Sequence, residues 1–505
     1  MESFFCLTSH RQKALLEALQ AYLVRCRWFS SKSKTIKQVD VEEEFSLNPT
    51  NEFSLLFFWV IYTDGQRELY SLPLEKIKSS QRSQEEELFF DPEHSIRYLE
   101  ATTKTKWCRL FFDLIAKETE LYGRKAKLKG YGSSFLRSWN APDDVKVQFL
   151  SLEQSNSSCV LNNQFFLKLY RKLEPGENPE VEILSFLTEK SSFAHVPACM
   201  GKIELFIEAT NYTVGLLTTY VHNQGSGWKR ALGALSRCIE QARSIPSAEV
   251  DRWLDEKLQS DYFGPDASLL GQRTAELHLG LADAQGIASF EPQPLEKRDL
   301  SFLFDETLQL MDERWADATT NPWFNVLLSK KNLSFSSLKD RVRQRLEEKI
   351  AEVEEGCLYK IRTHGDYHLG QVLWTGSDYL IIDFEGEPNR TMEERKIRWP
   401  ALRDVAGMMR SFHYVAYCCL KAKEREDPFE KELAIQWYLK ISKNFLETYK
   451  QKAWGTLLLP TTERYLQPLL GFFLLEKLIY EVGYELGSRP SWVEIPLSAL
   501  LELIS

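Results

Sequence analysis

The sequence has no CxxC pair among its nine cysteines, and no cysteine and histidine spacing reads as a zinc site. Cys26, Cys108, Cys159 and Cys357 are scattered, and the adjacent Cys418 and Cys419 fall in a helical-looking stretch, a poor geometry for one disulfide. Reduced, mostly buried thiols are the expectation. The N-terminus lacks the basic start and unbroken apolar core of a signal peptide. The most apolar late run, Leu469 to Tyr480, is interrupted by Glu476 and Lys477 and is too short to span a bilayer. There is no cationic excess, and a net charge of −9 argues against nucleic acid as a main partner. A soluble, cytoplasmic chain with no membrane or nucleic-acid partner is expected. A complete glycine-rich nucleotide loop is also missing. Gly130-Tyr131-Gly132-Ser133-Ser134 begins like one, but Phe135 stands where the third glycine belongs.

What is present is an ordinary globular composition, 43% hydrophobic and 27% charged, over 505 residues. That length predicts about two to four domains. Apolar spacing predicts a helix over Ser9 to Val24, with Ser9 as its N-cap. Val39 to Phe45, Ser54 to Tyr62 and Arg67 to Leu72 read as a meander, with Asp64-Gly65 as a hairpin turn. Ser95 to Leu114 reads as helix. This first third is a small α/β module without catalytic spacing, and Trp28 reads as structural.

The chemistry sits in Thr363 to Pro388, THGDYHLGQVLWTGSDYLIIDFEGEP. Asp366 is followed five positions later by Gln371 and seventeen positions later by Asp383, at the end of an apolar strand. Phosphoryl transfer from ATP needs this kit. One carboxylate receives the acceptor hydroxyl's proton, while an amide oxygen and a second carboxylate hold magnesium against the phosphates. Glu385, where kinases have glycine, is a weaker candidate for a second magnesium. Upstream, Lys168 stands in the apolar strand Phe165 to Tyr170, and Glu182 follows in an amphipathic helix, Pro179 to Thr188. A strand lysine held by a helix glutamate and reaching the phosphates is one reading of the pair. A lysine at a sheet edge with a solvated glutamate is the other. The turn before this strand lacks glycine, yet Gln154, Ser155, Asn156 and Ser157 can still cradle phosphate through side chains and backbone N–H groups. Val214 to Val221 is a strand leading to a hinge, estimated at Thr218 to Val221, where backbone would meet adenine.

From Gly227 onward the pattern is mostly helical: Trp228 to Ser244, Ala248 to Leu258, Leu269 to Ala284 and the charged Ser337 to Glu354. His278 reads as a core histidine. Ala401 to Phe412 carries Asp404 and Arg410 within an apolar frame. The helix Gly471 to Leu486 places Glu476, Tyr480 and Tyr484 at i, i+4 and i+8, with Glu481 and Glu485 beside them. These rings are either core with wet tips or a sugar-stacking face.

Six stretches in order, RWFSSK, EQSNSS, LKLYRKLEPGENPEVE, HGDYHLGQVL with DFEGEP, LRDVAGMMRSF and EKLIYEVGYELGSRPSW, make the chain resemble the bacterial maltokinases over almost its whole length. The resemblance implies an α+β, bilobal, eukaryotic-protein-kinase-like fold: an N-terminal α/β cap over 1–100, a β-rich N-lobe over 101–221 and a mostly helical C-lobe over 222–505. It implies ATP and Mg2+ as cofactors and maltose, phosphorylated at its anomeric hydroxyl, as substrate. The product would feed α-glucan synthesis from trehalose, with association with trehalose synthase as a further expectation. Carried over, Asp366 is the catalytic base, Gln371 and Asp383 are magnesium ligands, and Lys168 with Glu182 positions phosphate. His364, Asp404, Arg410, Glu476, Tyr480, Glu481 and Tyr484 become candidates for facing the sugar. Ser30-Ser31 replace a usual glycine, and His413 replaces a usual acid. Rival readings are a kinase of another small hydroxylated substrate, of the aminoglycoside or choline type, and a non-catalytic kinase-like partner of trehalose synthase.

Overall fold

A computed structural model describes residues 3–29, 31–80, 87–139, 145–150, 155–388, 390–421 and 427–504. The chain divides into two compact units, Met1–Thr188 with Pro197–Val221, and Glu189–Val196 with His222–Ser505.

The first unit holds two antiparallel sheets. One begins as the expected meander, Ile36–Ser46, Phe53–Tyr62 and Arg67–Lys78, and is extended by Ile96–Glu100 and Glu87–Asp91. Its turn at Asp64-Gly65 works because Gly65 takes φ 85°, open to glycine without a Cβ penalty. The helix Ser9–Arg25 lays Leu15, Leu19 and Leu23 on this sheet, against a core containing Phe58, Tyr70 and Leu72. Its N-cap is Thr8 rather than Ser9, with no side-chain cap bond. Residues 95–114 were expected to be one helix. Instead Ile96–Glu100 pairs with both Glu87–Asp91 and Arg67–Lys78, and the helix starts only at Thr105. A neighbouring strand edge outcompeted the helical spacing, as tertiary context commonly does.

The second sheet runs in the order Glu120–Tyr122, Ala126–Gly132, Cys199–Ile207, Thr210–Thr219, Phe165–Leu169, Ser157–Leu161, Val147–Phe149. Gly130, which imitates a nucleotide loop, lies inside this sheet. A Cβ there would fall 1.9 Å from the Leu114 carbonyl oxygen, so the glycine serves close packing of a helix end. Just past Leu169 the chain crosses over, and Lys172–Leu173 pairs with Arg67–Lys78 of the first sheet.

The second unit is mainly helical. Gly264–Ala282 and Pro428–Ala453 pack closely because Gly271 sits against the Phe445 carbonyl, where a Cβ would come within 2.3 Å. Leu402–Lys421 and Leu466–Ser488 are the long helices that carry site residues, and Val372–Trp374 pairs with Tyr379–Ile381 in a short hairpin. Among the described residues no helix is long and apolar enough to cross a membrane. No disulfide joins the described cysteines.

Candidate functional site

In the first unit, Lys168 lies in an interior strand, opposite Leu216 on one side and Ser158 on the other. The sheet-edge alternative is therefore excluded. The residue is 7% exposed, and an unpaired ammonium so deeply buried would be expensive. Its Nζ lies 2.7 Å from Glu180 Oε2, which also accepts the Tyr170 hydroxyl at 2.8 Å. This corrects the expected partner, Glu182, by two residues. Glu180 sits in the first turn of helix Pro179–Glu189 and is buried with Val181, Ile183 and Leu184, whereas Glu182 is only half-buried. The Glu180 N–H in turn donates to Asn178 Oδ1 at 2.8 Å, which fixes the start of the helix.

The neighbouring turn is partly placed. Ser155 is exposed, Asn156 Oδ1 accepts the Arg171 N–H at 3.4 Å and Ser157 Oγ accepts Arg171 Nε at 2.8 Å. Gln154 falls outside the described residues. Thr218 is buried within strand Thr210–Thr219 between Phe166 and Cys199, so it lies inside the sheet and not in a hinge. Val221 lies two residues beyond that strand.

In the second unit the loop bearing Asp366 is clamped from behind by Asp404. The Asp404 carboxylate accepts the N–H groups of His364 at 2.7 Å and Gly365 at 3.0 Å, and His278 Nε2 at 3.1 Å. Burial would push this carboxyl's pKa up, but the His278 bond and the backbone donor outweigh it and hold the value below the usual range. His364 braces the next stretch: Nε2 donates to the Ile382 carbonyl at 2.9 Å, and Nδ1 accepts the Asp366 N–H at 3.4 Å. Close packing also needs Gly407, whose Cβ would meet the Tyr367 carbonyl at 2.7 Å. Asp404, expected to face sugar, lines the cleft beside this loop and also supports the loop, whereas His364 is a buried loop support.

Gln371 and Asp383 are brought together, with Gln371 Nε2 donating to Asp383 Oδ2 at 2.8 Å. That bond commits the amide nitrogen, so Gln371 Oε1 is the atom of this side chain that could hold a metal. Asp383 sits at φ 67°, an uncommon conformation that aspartate tolerates better than most residues and that is often kept at functional positions. An amide oxygen with the Asp383 and nearby Glu385 carboxylates is an all-oxygen set that suits Mg2+.

Gly365 and Tyr367, on either side of Asp366, line a cleft with Glu387, Arg390, Arg403, Lys477 and Tyr480, and Glu387, Arg390 and Tyr480 also line an open recess. Lys477 Nζ donates to Asp366 Oδ1 at 3.2 Å and to Glu387 Oε1 at 3.3 Å. Burial disfavours the Lys477 charge, yet the two carboxylates raise its pKa above the ordinary value. Burial likewise pushes the Glu387 carboxyl up, but Lys477, Arg403 and Arg390 together hold it at about 2. Glu387 also accepts Arg390 Nε at 2.9 Å, and Arg403 grips Glu476 at 2.7 and 3.1 Å. His368 Nε2 is 3.8 Å from Asp366 Oδ2, and desolvation lowers its pKa against the pull of that carboxylate.

Of the other sugar candidates, Glu476 and Tyr480 line the cleft. The Tyr480 ring lies 4.7 Å below Lys477 Nζ and stacks at 6.4 Å on Tyr484, which is 41% exposed. Arg410 and Glu481 are buried and spent on each other at 2.9 Å, so they are a helix-to-helix tie and not sugar contacts. The sequence reading missed Lys477, Arg390 and Arg403 as site residues. A signal existed for Lys477, which stands three residues before Tyr480 on the same helical face.

Residues 22–98 match the maltokinase N-terminal cap domain. The chain is 23% identical over 381 residues to the glucosamine kinase of Mycolicibacterium smegmatis, covering 74% of this chain and 84% of that protein. It is 24% identical over 361 residues to the glucosamine kinase of Streptacidiphilus jiangxiensis, covering 70% and 72%. A solved glucosamine kinase in complex with glucosamine, ADP and inorganic phosphate superposes with TM-score 0.63 at 20% identity, over 97% of this chain and 99% of that one. A second glucosamine kinase crystal form gives 0.65 at 18%, covering 96% and 99%. Residues 22–98 thus match a maltokinase cap, and the chain has the fold of the solved glucosamine kinases.

Proposed function

We propose that the chain is a sugar kinase that transfers the γ-phosphoryl group of ATP to the anomeric hydroxyl of maltose, giving maltose 1-phosphate. The observation that carries the kinase reading is the clamped loop. Asp404 fixes two backbone amides just before Asp366, and the Asp366 carboxylate accepts Lys477, which lines the cleft. Such fixed placement is most of what phosphoryl transfer asks of a protein. Maltose as acceptor is supported by the cap match and by the LRDVAGMMRSF and EKLIYEVGYELGSRPSW stretches.

In this reading Asp366 orients the acceptor hydroxyl and takes its proton as that oxygen bonds to the γ-phosphorus and the bond to ADP breaks. A loose transition state makes no demand for a strongly raised carboxyl pKa. Lys168, held by Glu180, would steady the phosphates. Gln371, Asp383 and Glu385 would hold Mg2+, whose chemistry is neutralisation of phosphate charge. Asn156 and Ser157 would contribute backbone N–H groups to phosphate, because their side chains are turned to Arg171. Tyr480, stacked on Tyr484, offers the sugar an aromatic face.

A second reading, phosphorylation of glucosamine, is favoured by the curated relatives and the superposed structures. Incubating purified protein with Mg-ATP and maltose, glucose, trehalose or glucosamine, and determining the product's linkage, decides between them. Maltose 1-phosphate as the fastest product is expected. Preferred phosphorylation of glucosamine would replace the first reading with the second. Action in the cytoplasm on maltose supplied by trehalose synthase, in association with that enzyme, is part of the proposal, and co-purification of the two proteins tests the association.

A further inference from the structure

We propose that Lys477 selects the acceptor: it orients Asp366 and reserves the cleft for an uncharged sugar over an amino sugar. The inference rests on the sugar-kinase reading and deepens it.

An ammonium group entering a partly buried cleft needs a carboxylate with charge to spare, since its lost hydration must be replaced. Among the described residues, each carboxylate in the wall of the cleft beside Asp366, namely Glu387, Asp404 and Glu476, is already engaged, whereas Glu313 and Glu394, bonded to the neutral Gln309 side chain and Thr391 N–H, line only the open recess. Asp366 is met by Lys477, and Glu387 by Lys477 at 3.3 Å and Arg390 at 2.9 Å. Glu476 is held by Arg403 in a two-pronged contact at 2.7 and 3.1 Å. Asp404 is committed to two backbone amides and His278.

Lys477 differs from the two arginines because it touches Asp366 itself. Any hydroxyl delivered to Asp366 therefore arrives within a few ångströms of an ammonium whose side chain is only 18% exposed. A sugar hydroxyl can accept a hydrogen bond from Lys477, whereas a sugar ammonium is repelled. At about 5 Å and an effective dielectric near 20, that repulsion amounts to roughly a hundredfold in binding. The groups facing Lys477 are Asp366 and His368 from the loop, Glu387 from the following turn, and Tyr480 and Glu481 from its own helix. Desolvation lowers the His368 pKa, with Lys477 and His364 adding to the shift and Asp366 opposing it.

The test is kcat/KM for maltose and for glucosamine with Mg-ATP at pH 6.5 and pH 8.5, for the unsubstituted protein, Lys477→Met and Lys477→Arg. An amine of this kind titrates near the α-amino range of about 8. It is charged at the lower pH and mostly neutral at the higher. The unsubstituted protein should prefer maltose at pH 6.5, with its glucosamine-to-maltose ratio rising about tenfold by pH 8.5. Lys477→Met should raise the ratio at pH 6.5 by at least tenfold and flatten its pH dependence, and Lys477→Arg should keep the original profile. An unchanged ratio in Lys477→Met, or a pH-independent ratio in the unsubstituted protein, overturns the proposal while leaving sugar kinase activity standing. If Lys477→Met has no turnover, the profiles of the unsubstituted protein and Lys477→Arg still decide. No phosphorylation of either sugar by the unsubstituted protein overturns the sugar-kinase reading itself, and this inference with it.

Discussion

Asp366 keeps its place through two contacts from different directions: its N–H donates to His364 Nδ1 at 3.4 Å, and its carboxylate accepts Lys477 Nζ at 3.2 Å. An asparagine there preserves the size and the backbone contact but cannot receive a proton. Asp366→Asn should therefore lose about 10²–10⁴-fold in kcat while nucleotide binding, followed by calorimetry, stays within about twofold. Wild-type turnover in this variant would remove Asp366 from its role. Asp383 presents a different case, since Gln371 Nε2 already occupies one of its oxygens. Asp383→Asn should shift the magnesium titration of activity to higher concentration, and an unchanged titration counts against a metal role. Glu180→Gln leaves the Lys168 ammonium with a neutral partner. KM for ATP should rise several-fold with little change in KM for the sugar, and equal changes in both would mean that the pair supports folding only.

The helix Leu402–Lys421 backs the loop that bears Asp366, so changes on it should reach Asp366 through the loop. Gly407→Ala is the sharpest probe, because its Cβ would lie 2.7 Å from the Tyr367 carbonyl. Forcing the helix away from the loop should cost about 1–3 kcal/mol in stability. It should lower kcat more than it raises KM, and a kcat unchanged alongside a lowered Tm would separate packing from positioning. How much could be read in advance follows from the same helix. That Gln371 and Asp383 meet was legible because they flank one short hairpin, a local pairing that spacing can carry. The roles of Asp404 and His364 were not legible. A buried carboxylate that accepts backbone N–H groups 39 and 40 residues away leaves no local pattern. Glu180 was missed for a related reason. Residues two apart on a helix face roughly opposite ways, and the packing of the helix brings Glu180 to Lys168. In the first unit, residues 96–100 carried apolar spacing compatible with helix, and the free edges of two neighbouring strands decided otherwise.

At the scale of the whole molecule, folding locks away ionisable groups whose proton affinities then differ from those of the unfolded chain. Two pH windows follow. The Glu387 carboxyl, held at about 2, favours the folded state fully above about 4.3, and that contribution disappears as pH falls from there towards 2. The second window lies nearer neutrality and comes from His413. This ring is buried, with Arg410 nearby, and burial first and the guanidinium second push its pKa well below 6.5. Its Nδ1 has no hydrogen-bond partner among the described residues, so nothing there stabilises the imidazolium. The unfolded chain binds a proton at this ring below about pH 6.5 while the folded protein does not. Stability is therefore complete above that pH and is lost on acidification, at up to about 1.4 kcal/mol per pH unit for one such ring. His368, lowered in the same direction by burial, adds a parallel loss. Urea unfolding at pH 7.5, 6.5 and 5.5 should show stability falling between the last two values. His413→Gln should reduce that slope by roughly the share of one proton. Equal slopes for the two proteins would mean that the folded state accommodates a charged His413, contrary to its placement in the helical unit.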